Sequence, residues 1–378
     1  MSAATHQLPY QTPEDSPPWH NQSVHLIALL TAAATFPLIF MGGLVTSHQA
    51  GLAVPDWPNS YGYNMFLFPP RYWVGGVLYE HTHRLMATVV GFLSTLLTVA
   101  AWPYERRPWV RWLATSVLIG VIFQGILGGL RVVFKNLDLA IVHACVAQAF
   151  FCLAASAALV TSNWWRSAPD LSATPDRPLF RAAFITVIII YLQLIVGATM
   201  RHEQAGLAIP DFPLTFGHIL PPAPSAVDSA FRTAALHNWP DPALSLLAHV
   251  TAWQIYLQFA HRIGALIVTI AIGVLSFLVL KSPARAHLIP LTAMLLSLLL
   301  AQITLGILTV LLRKPADIAS LHVAVGALTL LTTFIITVRT ARLFRIASPI
   351  SPSPILPFSN SPTSPFASSQ PHPPTPAF

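Results

Sequence analysis

Four histidines lie in apolar stretches that are long enough to cross a membrane. They form two pairs, one in each half of the chain: His83 with His143, and His261 with His322. A single intramembrane histidine can simply be an interhelical hydrogen-bond partner. However, ionisable groups in a bilayer are costly, at roughly 2.5–3.5 kcal/mol for a charged side chain near its centre, and are usually functional. Neutral imidazole is a common ligand of haem iron, so we predict two sites with two axial histidines each.

Each pair belongs to one copy of a repeated cassette. The first copy reads QAGLAVPDWP (49–58), then EHTHR (80–84), then His143, and the second reads QAGLAIPDFP (204–213), then QFAHR (258–262), then His322. Equivalent loop positions are 155 residues apart, and equivalent helix positions are 178 or 179 apart. An internal repeat of this kind indicates one structural unit present twice.

The two copies differ at one position of chemical consequence, where the first has Glu80 and the second has Gln258. Glu80 lies three residues before His83 and hence on the same helix face. A glutamate at a membrane edge can be only an interfacial charge. Glutamine keeps the hydrogen bonding but cannot transfer a proton. We therefore predict acid–base chemistry in the first half and a fixed electron-transfer haem in the second.

Four arginines are candidates for contacts with haem propionates. Arg84 and Arg262 directly follow the histidines of the two motifs, and each is either a snorkelling membrane anchor or a partner of a propionate or of backbone carbonyls. Arg131 and Arg313 end the third and seventh apolar runs and are also propionate candidates.

The QAGLAxPDxP segments contain glycine and proline and cannot continue a helix. We expect each segment to fold over the outer mouth of its half as a lid. Asp56 and Asp211 within them are either turn-forming residues or proton-relay groups.

Composition places the chain in a membrane. Charged residues are 9% and hydrophobic residues 54% of the chain, with a mean hydropathy of +0.62. The net charge of +7 comes from short basic clusters beside apolar runs, a pattern typical of membrane orientation and not of nucleic-acid binding. Cys145 and Cys152 lie on one predicted helix, about 10 Å apart along its axis, which is too far for a disulfide.

Eight apolar runs are long enough to span a bilayer, for which about 20 residues are needed. They cover roughly 24–45, 77–101, 112–133, 138–160, 180–200, 249–279, 288–311 and 317–341. The predicted fold is an all-α integral membrane protein of eight helices, built as two parallel-repeat four-helix bundles.

Lysine and arginine counts orient these helices. One side of the membrane carries 11 of them and the other side carries 7, which predicts that both termini are cytoplasmic. The first 23 residues contain Glu14 and Asp15 but no lysine or arginine, unlike a transit peptide or a secretory signal. We expect a prokaryotic plasma (inner) membrane protein whose first helix is an uncleaved anchor.

The predicted organisation has five parts. They are a cytoplasmic N-terminal segment (1–23), a first four-helix half (24–161), a cytoplasmic linker (162–179), a second four-helix half (180–345) and a Ser/Pro-rich tail (346–378). The tail lacks the apolar content to pack, and we expect it to be disordered.

Taken together, these features resemble the haem A synthase family over about residues 24–345. The resemblance rests on EHTHR, His143, QFAHR, His322, the GGLVT opening at 42–46 and the PDWP-type loops. It implies a haem b cofactor in the C-terminal half and a haem O substrate in the N-terminal half. The implied reaction oxidises a methyl group of haem O to the formyl group of haem A.

Carried over by motif, the resemblance implies that His261 and His322 ligate the cofactor haem. It implies that His83 and His143 hold the substrate haem and that Glu80 acts in proton transfer beside it. The implied partners are haem O, a haem O synthase, terminal oxidase assembly partners and the lipid bilayer. Whether the chain forms a homo-oligomer stays open.

The chain departs from some family members in its outer loops. Those members carry a cysteine pair there, whereas residues 46–76 contain none, so a thiol-dependent haem transfer cannot operate here in that form. Two alternatives stay open, a membrane electron carrier similar to cytochrome b and a haem-handling assembly chaperone. One histidine on each of four helices weighs against the first, and the second leaves Glu80 without a role.

Overall fold

The computed structural model describes residues 22–227 and 250–345. This part of the chain contains eight helices long and apolar enough to cross a membrane. They are α1 (Gln22–Ser47), α2 (Gly76–Tyr104), α3 (Pro108–Phe134), α4 (Leu137–Thr161), α5 (Arg177–His202), α6 (Ala252–Lys281), α7 (Arg285–Leu311) and α8 (Ala316–Phe344). The predicted all-α membrane fold with eight spans is confirmed, with ends that differ by a few residues.

Three predictions concern chain that lies partly or wholly outside the described residues. The N-terminal segment is described only from residue 22 onward, and the tail at 346–378 is not described. The increase in repeat spacing from 155 to 178 predicts 23 extra residues between Pro213 and Gln258, and residues 228–249 of that segment also lie outside the described part.

Capping side chains and prolines set where several helices begin. Asn136 and Asp176 accept a hydrogen bond from the backbone N–H three residues ahead, at the starts of α4 and α5. Thr251 and Gln254 form a reciprocal capping box at the start of α6. Pro108 occupies the first position of α3, where a missing N–H costs nothing.

The helices pack as two rings of four. In the first ring α1 contacts α2 and α4, and α3 contacts the same two helices. In the second ring α5 contacts α6 and α8, and α7 contacts the same two helices. The rings meet where α1 contacts α8 and where α4 contacts α5 and α8. Half of the most apolar segment of α8 is therefore buried, against 6% for α7.

An ion pair between a buried carboxylate and a partly buried arginine lies in the connection between α2 and α3. Glu105 is 2% exposed, and its carboxylate accepts hydrogen bonds from Nε and Nη2 of Arg107 at 3.0 and 2.9 Å. Arg107 also donates to the carbonyl of Val160 on α4 at 3.0 Å. Burial alone would raise the pKa of Glu105, but the hydrogen bonds and charge of Arg107 outweigh it and hold the pKa below its ordinary value.

We expect Glu105→Ala to lower the free energy of unfolding by about 2 kcal/mol at neutral pH, because it removes the charge-assisted hydrogen bonds from Arg107 to the buried carboxylate. The folded-state pKa of Glu105 is lowered, so its stabilisation is present above the unfolded pKa of about 4.3 and is lost as the pH falls further. The difference between variant and wild type should therefore shrink in acid. Thermal unfolding in detergent across pH measures it.

Asp170→Asn provides the control for this comparison. Asp170 pairs with Arg345, but both side chains are well exposed, and exposed pairs contribute little. Equal destabilisation by the two variants would contradict the role assigned to Glu105.

Candidate functional site

A carboxylate and an arginine of α2 hold the first QAGLAxPDxP segment, residues 49–58 and called the first loop below, against that helix. Glu80 is 2% exposed, and its Oε2 accepts the Val54 N–H at 2.8 Å. Its Oε1 pairs with Arg84 at 3.1 Å. Arg84 also donates to the carbonyls of Val54, Asp56 and Asn59 at 2.9, 2.7 and 2.9 Å. The first QAGLAxPDxP segment is thus fixed to α2 through its own backbone.

In the second half an equivalent pair of side chains holds the second QAGLAxPDxP segment, with an amide in place of the carboxylate. We call each such pair a loop clamp. Gln258 is 3% exposed, accepts the Ile209 N–H, and donates to the carbonyls of Gly206 and Ile209 at 3.0 and 3.3 Å. Arg262 donates to the carbonyls of Ile209 and Asp211 at 3.2 and 2.7 Å. The amide is uncharged and can both accept and donate hydrogen bonds, so it needs no arginine as a counter-charge.

The two loops have the same backbone conformation. Gln49 and Gln204, which are 155 residues apart, have φ values of 53° and 55°. Asp56 and Asp211 each accept the backbone N–H groups five and six residues further on, so both are turn-forming residues here. Burial acts to raise the pKa of Asp56, but these hydrogen bonds prevail and the pKa is lowered.

Each of the four candidate histidines packs its ring against a glycine of the neighbouring helix. A Cβ atom placed on that glycine would lie 3.0–3.3 Å from ring Cε1. The pairs are His83 with Gly42, His143 with Gly128, His261 with Gly197 and His322 with Gly306. The rings occupy space that a side chain on the facing helix would otherwise take.

The two histidine rings of the second half lie close together. The centroids of His261 and His322 are 6.3 Å apart, with 64° between the ring planes. A metal–imidazole bond is about 2 Å long, so a pair of rings at this separation could ligate one iron atom. His83 and His143 lie within electrostatic range of each other.

Each of the four rings has at least one nitrogen without a side-chain hydrogen bond, and in His322 it is Nδ1, since Nε2 lies 3.3 Å from Nε2 of Gln302. The Nδ1 atoms of His83, His143 and His322 are buried and lack a partner, whereas Nδ1 of His261 lies 3.1 Å from Nε2 of Gln193. Within the described ranges, no group of three or more His, Cys, Asp or Glu side chains is placed to hold a metal ion. Haem supplies four ligands of its own, so two histidines per site suffice.

Two cations lie beside the loops at equivalent places. Arg131 donates to the Gly51 carbonyl at 2.8 Å. The sequence paired Arg131 with Arg313, but Arg313 is exposed, and Lys314 lies next to Gly206, the equivalent of Gly51. Burial lowers the pKa of Lys314. Lys314 was missed because it lies one position beyond the residue that we selected.

Arg201, near the end of α5, connects the two rings of helices and was not identified from the sequence. It donates to the Ala319 carbonyl on α8 at 3.2 Å, and to the Gly43 carbonyl and Ser47 Oγ on α1. Its equivalent in the first half is Thr46. No repeat pattern could therefore have marked Arg201.

His81 faces the first loop and not the histidine pair. It is fully buried, with Nδ1 3.2 Å from Ser60 Oγ. Its ring contacts those of Phe68 and Trp73, with centroids 5.0 and 4.6 Å away.

The fold and these sites define a class: an all-helical, multi-pass membrane protein with a histidine pair in each half. The chain belongs to the COX15-CtaA family, described as "Cytochrome oxidase assembly protein", whose family model matches residues 72–335. That match covers well over half of the chain.

Several relatives support the same family. The "Heme A synthase" of Shouchella clausii is 29% identical over 63% of this chain and 78% of its own length. The "Heme A synthase" of Shewanella oneidensis is 26% identical over 80% of this chain and 92% of its own length. That of Symbiobacterium thermophilum is 27% identical over 64% of this chain and 78% of its own length.

A leucine in place of a glycine that contacts a histidine ring should displace that ring. We expect Gly128→Leu to weaken hemin binding by the first half at least about tenfold, the usual cost of disturbing the support of a metal ligand. Absorbance titration with hemin measures this in a chain whose second site is removed by His261→Ala and His322→Ala.

Gly125→Leu is the matched control, because Gly125 lies one turn earlier on α3 and nothing lies within 4 Å of its added Cβ. If both leucines weaken hemin binding alike, the contact between Gly128 and His143 does not position the ring.

Proposed function

We propose that this chain is a haem A synthase. It oxidises the methyl group of haem O to the formyl group of haem A for the assembly of terminal oxidases. The family and the names of its relatives support this reading. The observation that carries it is a pair of equivalent intramembrane histidine sites, of which only one lies beside a buried carboxylate.

The two sites take different haems. His261 and His322 hold a resident haem b, which when bound supplies a one-electron redox centre. His83 and His143 hold the substrate haem O. In the first site Glu80 lies one helical turn from the proposed ligand His83. This supports the first site as the place of the substrate haem.

Glu80 holds or moves a proton beside the substrate. An ionised carboxylate offers about four acceptor positions. The hydrogen bonds from Val54 and Arg84 use two of them. Acceptor capacity remains for a proton released from the substrate methyl or its oxidised successors. The amide of Gln258 can accept a hydrogen bond but does not take up or release a proton near neutral pH, so the second site stays without acid–base chemistry.

Arg131 and Lys314 are the best-placed partners for propionates. Four donor contacts of Arg84 already go to Glu80 and to loop carbonyls, and Arg262 is engaged with loop carbonyls in the same way. We therefore assign Arg84 and Arg262 mainly to holding the loops. Arg313, on the exposed turn after α7, is a weaker candidate.

We further propose that the protein spans a prokaryotic plasma membrane with both termini in the cytoplasm. The histidine pairs then lie in the outer half of the bilayer under the two loops. A haem O synthase would supply the substrate, and a terminal oxidase assembly would take the product. The two predicted halves, 24–161 and 180–345, would each house one site.

Expression of the chain with a haem O synthase in a host that lacks haem A tests this function. Haem A should appear when the extracted haems are separated by chromatography. A stably produced, haem-loaded protein with only haem B and haem O would favour the electron carrier. A protein that carries haem O without altering it would favour the chaperone.

Replacing Glu80 by glutamine separates chemistry from structure. Gln258 shows that glutamine can hold the equivalent loop, so the Glu80→Gln protein should fold and bind haem in normal amounts. Its conversion to haem A should fall by about 100-fold or more, the usual contribution of a positioned acid or base. Haem content and haem A yield measure the two effects.

Gln258→Glu is the reciprocal control and should leave most conversion intact. Unchanged haem A production by Glu80→Gln would remove Glu80 from the mechanism. Equal losses in both variants would contradict the division of labour.

A further inference from the structure

The two halves differ in how the first histidine of each pair is held. Gln193 on α5 donates from Nε2 to the carbonyl of His261 at 2.8 Å and lies 3.1 Å from its Nδ1. The equivalent position in the first half, 155 residues earlier, is Leu38. Nδ1 of His83 is buried without a hydrogen-bond partner.

A glycine makes room for the Gln193 amide. A Cβ added to Gly264 would lie 1.9 Å from Oε1 of Gln193, a distance that no side chain tolerates. The equivalent of Gly264, 178 residues earlier, is Met86. The second half therefore combines glutamine with glycine where the first combines leucine with methionine.

This difference is confined to one helix pair in each half. The second histidine of each pair has a nearby glutamine in both halves, since Gln124 donates to the His143 carbonyl and Gln302 lies 3.3 Å from Nε2 of His322. These two glutamines are also 178 residues apart. The two halves therefore differ in the glutamine contact at the first histidine of each pair, which His261 has and His83 lacks.

We propose that Gln193, in the space provided by Gly264, is a positioning residue that retains the haem of the second half. Leu38 and Met86 leave the His83 ring without a side-chain hydrogen bond, so the first half can exchange its haem. This inference rests on the proposed function, in which a cofactor stays bound while substrate enters and product leaves.

The physical basis is the restraint on a metal ligand. An imidazole that leaves iron must rotate or shift, and hydrogen bonds to its ring and to its backbone oppose that movement. Partners of ligating histidines commonly change metal affinity by about 10- to 100-fold. Gln193 donates to the backbone carbonyl of His261 and contacts its ring, whereas the ring of His83 has a hydrogen bond only with the backbone of Leu38. We expect this side-chain restraint to give a difference of that size.

Hemin release from the full-length chain tests the inference. The first site is removed by His83→Ala and His143→Ala, the second is loaded with hemin, and transfer to excess apomyoglobin is followed by absorbance. Gln193→Leu and Gly264→Ala should each speed release about tenfold and alter the electron paramagnetic resonance signal of the bound haem. Gly273→Ala, on the same helix with nothing within 4 Å of its added Cβ, should release hemin at the unaltered rate.

Introducing the glutamine and the glycine into the first half controls for simple damage to packing. In a chain whose second site is removed by His261→Ala and His322→Ala, Leu38→Gln combined with Met86→Gly should slow hemin release from the first site. Damage to packing would not produce this gain. Unchanged rates for Gln193→Leu, or for this introduced pair, overturn the inference while the proposed function stands. A wild-type chain that takes up no hemin overturns the proposed function itself.

Discussion

The contact between a histidine ring and a glycine on the facing helix determines both the fold and the sites. Lipid is as apolar as the helix surfaces, so helices in a membrane associate through close packing at small residues and through polar contacts. The four histidine–glycine contacts join α1 to α2, α3 to α4, α5 to α6 and α7 to α8. A larger residue at any of these glycines would separate two helices and move a candidate ligand.

The loop clamps follow from a second constraint, that polar groups at the membrane edge need partners. Glu80 with Arg84 and Gln258 with Arg262 hold the same backbone positions in two loops of the same conformation. Since Gln258 and Arg262 hold the second loop without a carboxylate, these loop contacts do not require a carboxylate at position 80. A carboxylate at position 80 is therefore explained by the acid–base role that we propose for Glu80 and not by the loop contacts alone.

The sequence was sufficient for the features that have a strong period or a distinctive side chain. Eight apolar runs predicted eight helices, and the repeat placed one histidine on each of α2, α4, α6 and α8. The glycine contacts were harder to find, although Gly42 and Gly197, and Gly128 and Gly306, keep the repeat spacings of 155 and 178. A glycine has no side chain to suggest a role, and only the facing helix reveals it.

Lys314 and Arg201 mark where repeat reasoning fails. Arg131 lies in the last turn of α3, whereas Lys314 lies after α7 in a left-handed conformation, so strict register does not align them. Arg201 has no repeat equivalent because it belongs to the joint between the halves. No carboxylate in the described part pairs with this buried guanidinium, and its Nε lacks a partner, so its position is costly.

Hydrogen bonds to α1 and α8 offset that cost and give Arg201 its function in the fold. Gly43 is adjacent to Gly42, which backs His83, and Ala319 lies three residues before His322. Arg201 thus ties the support of one histidine pair to the helix that carries a member of the other. These contacts lie between the two four-helix units, so Arg201 belongs to the joint between them and not to either unit alone.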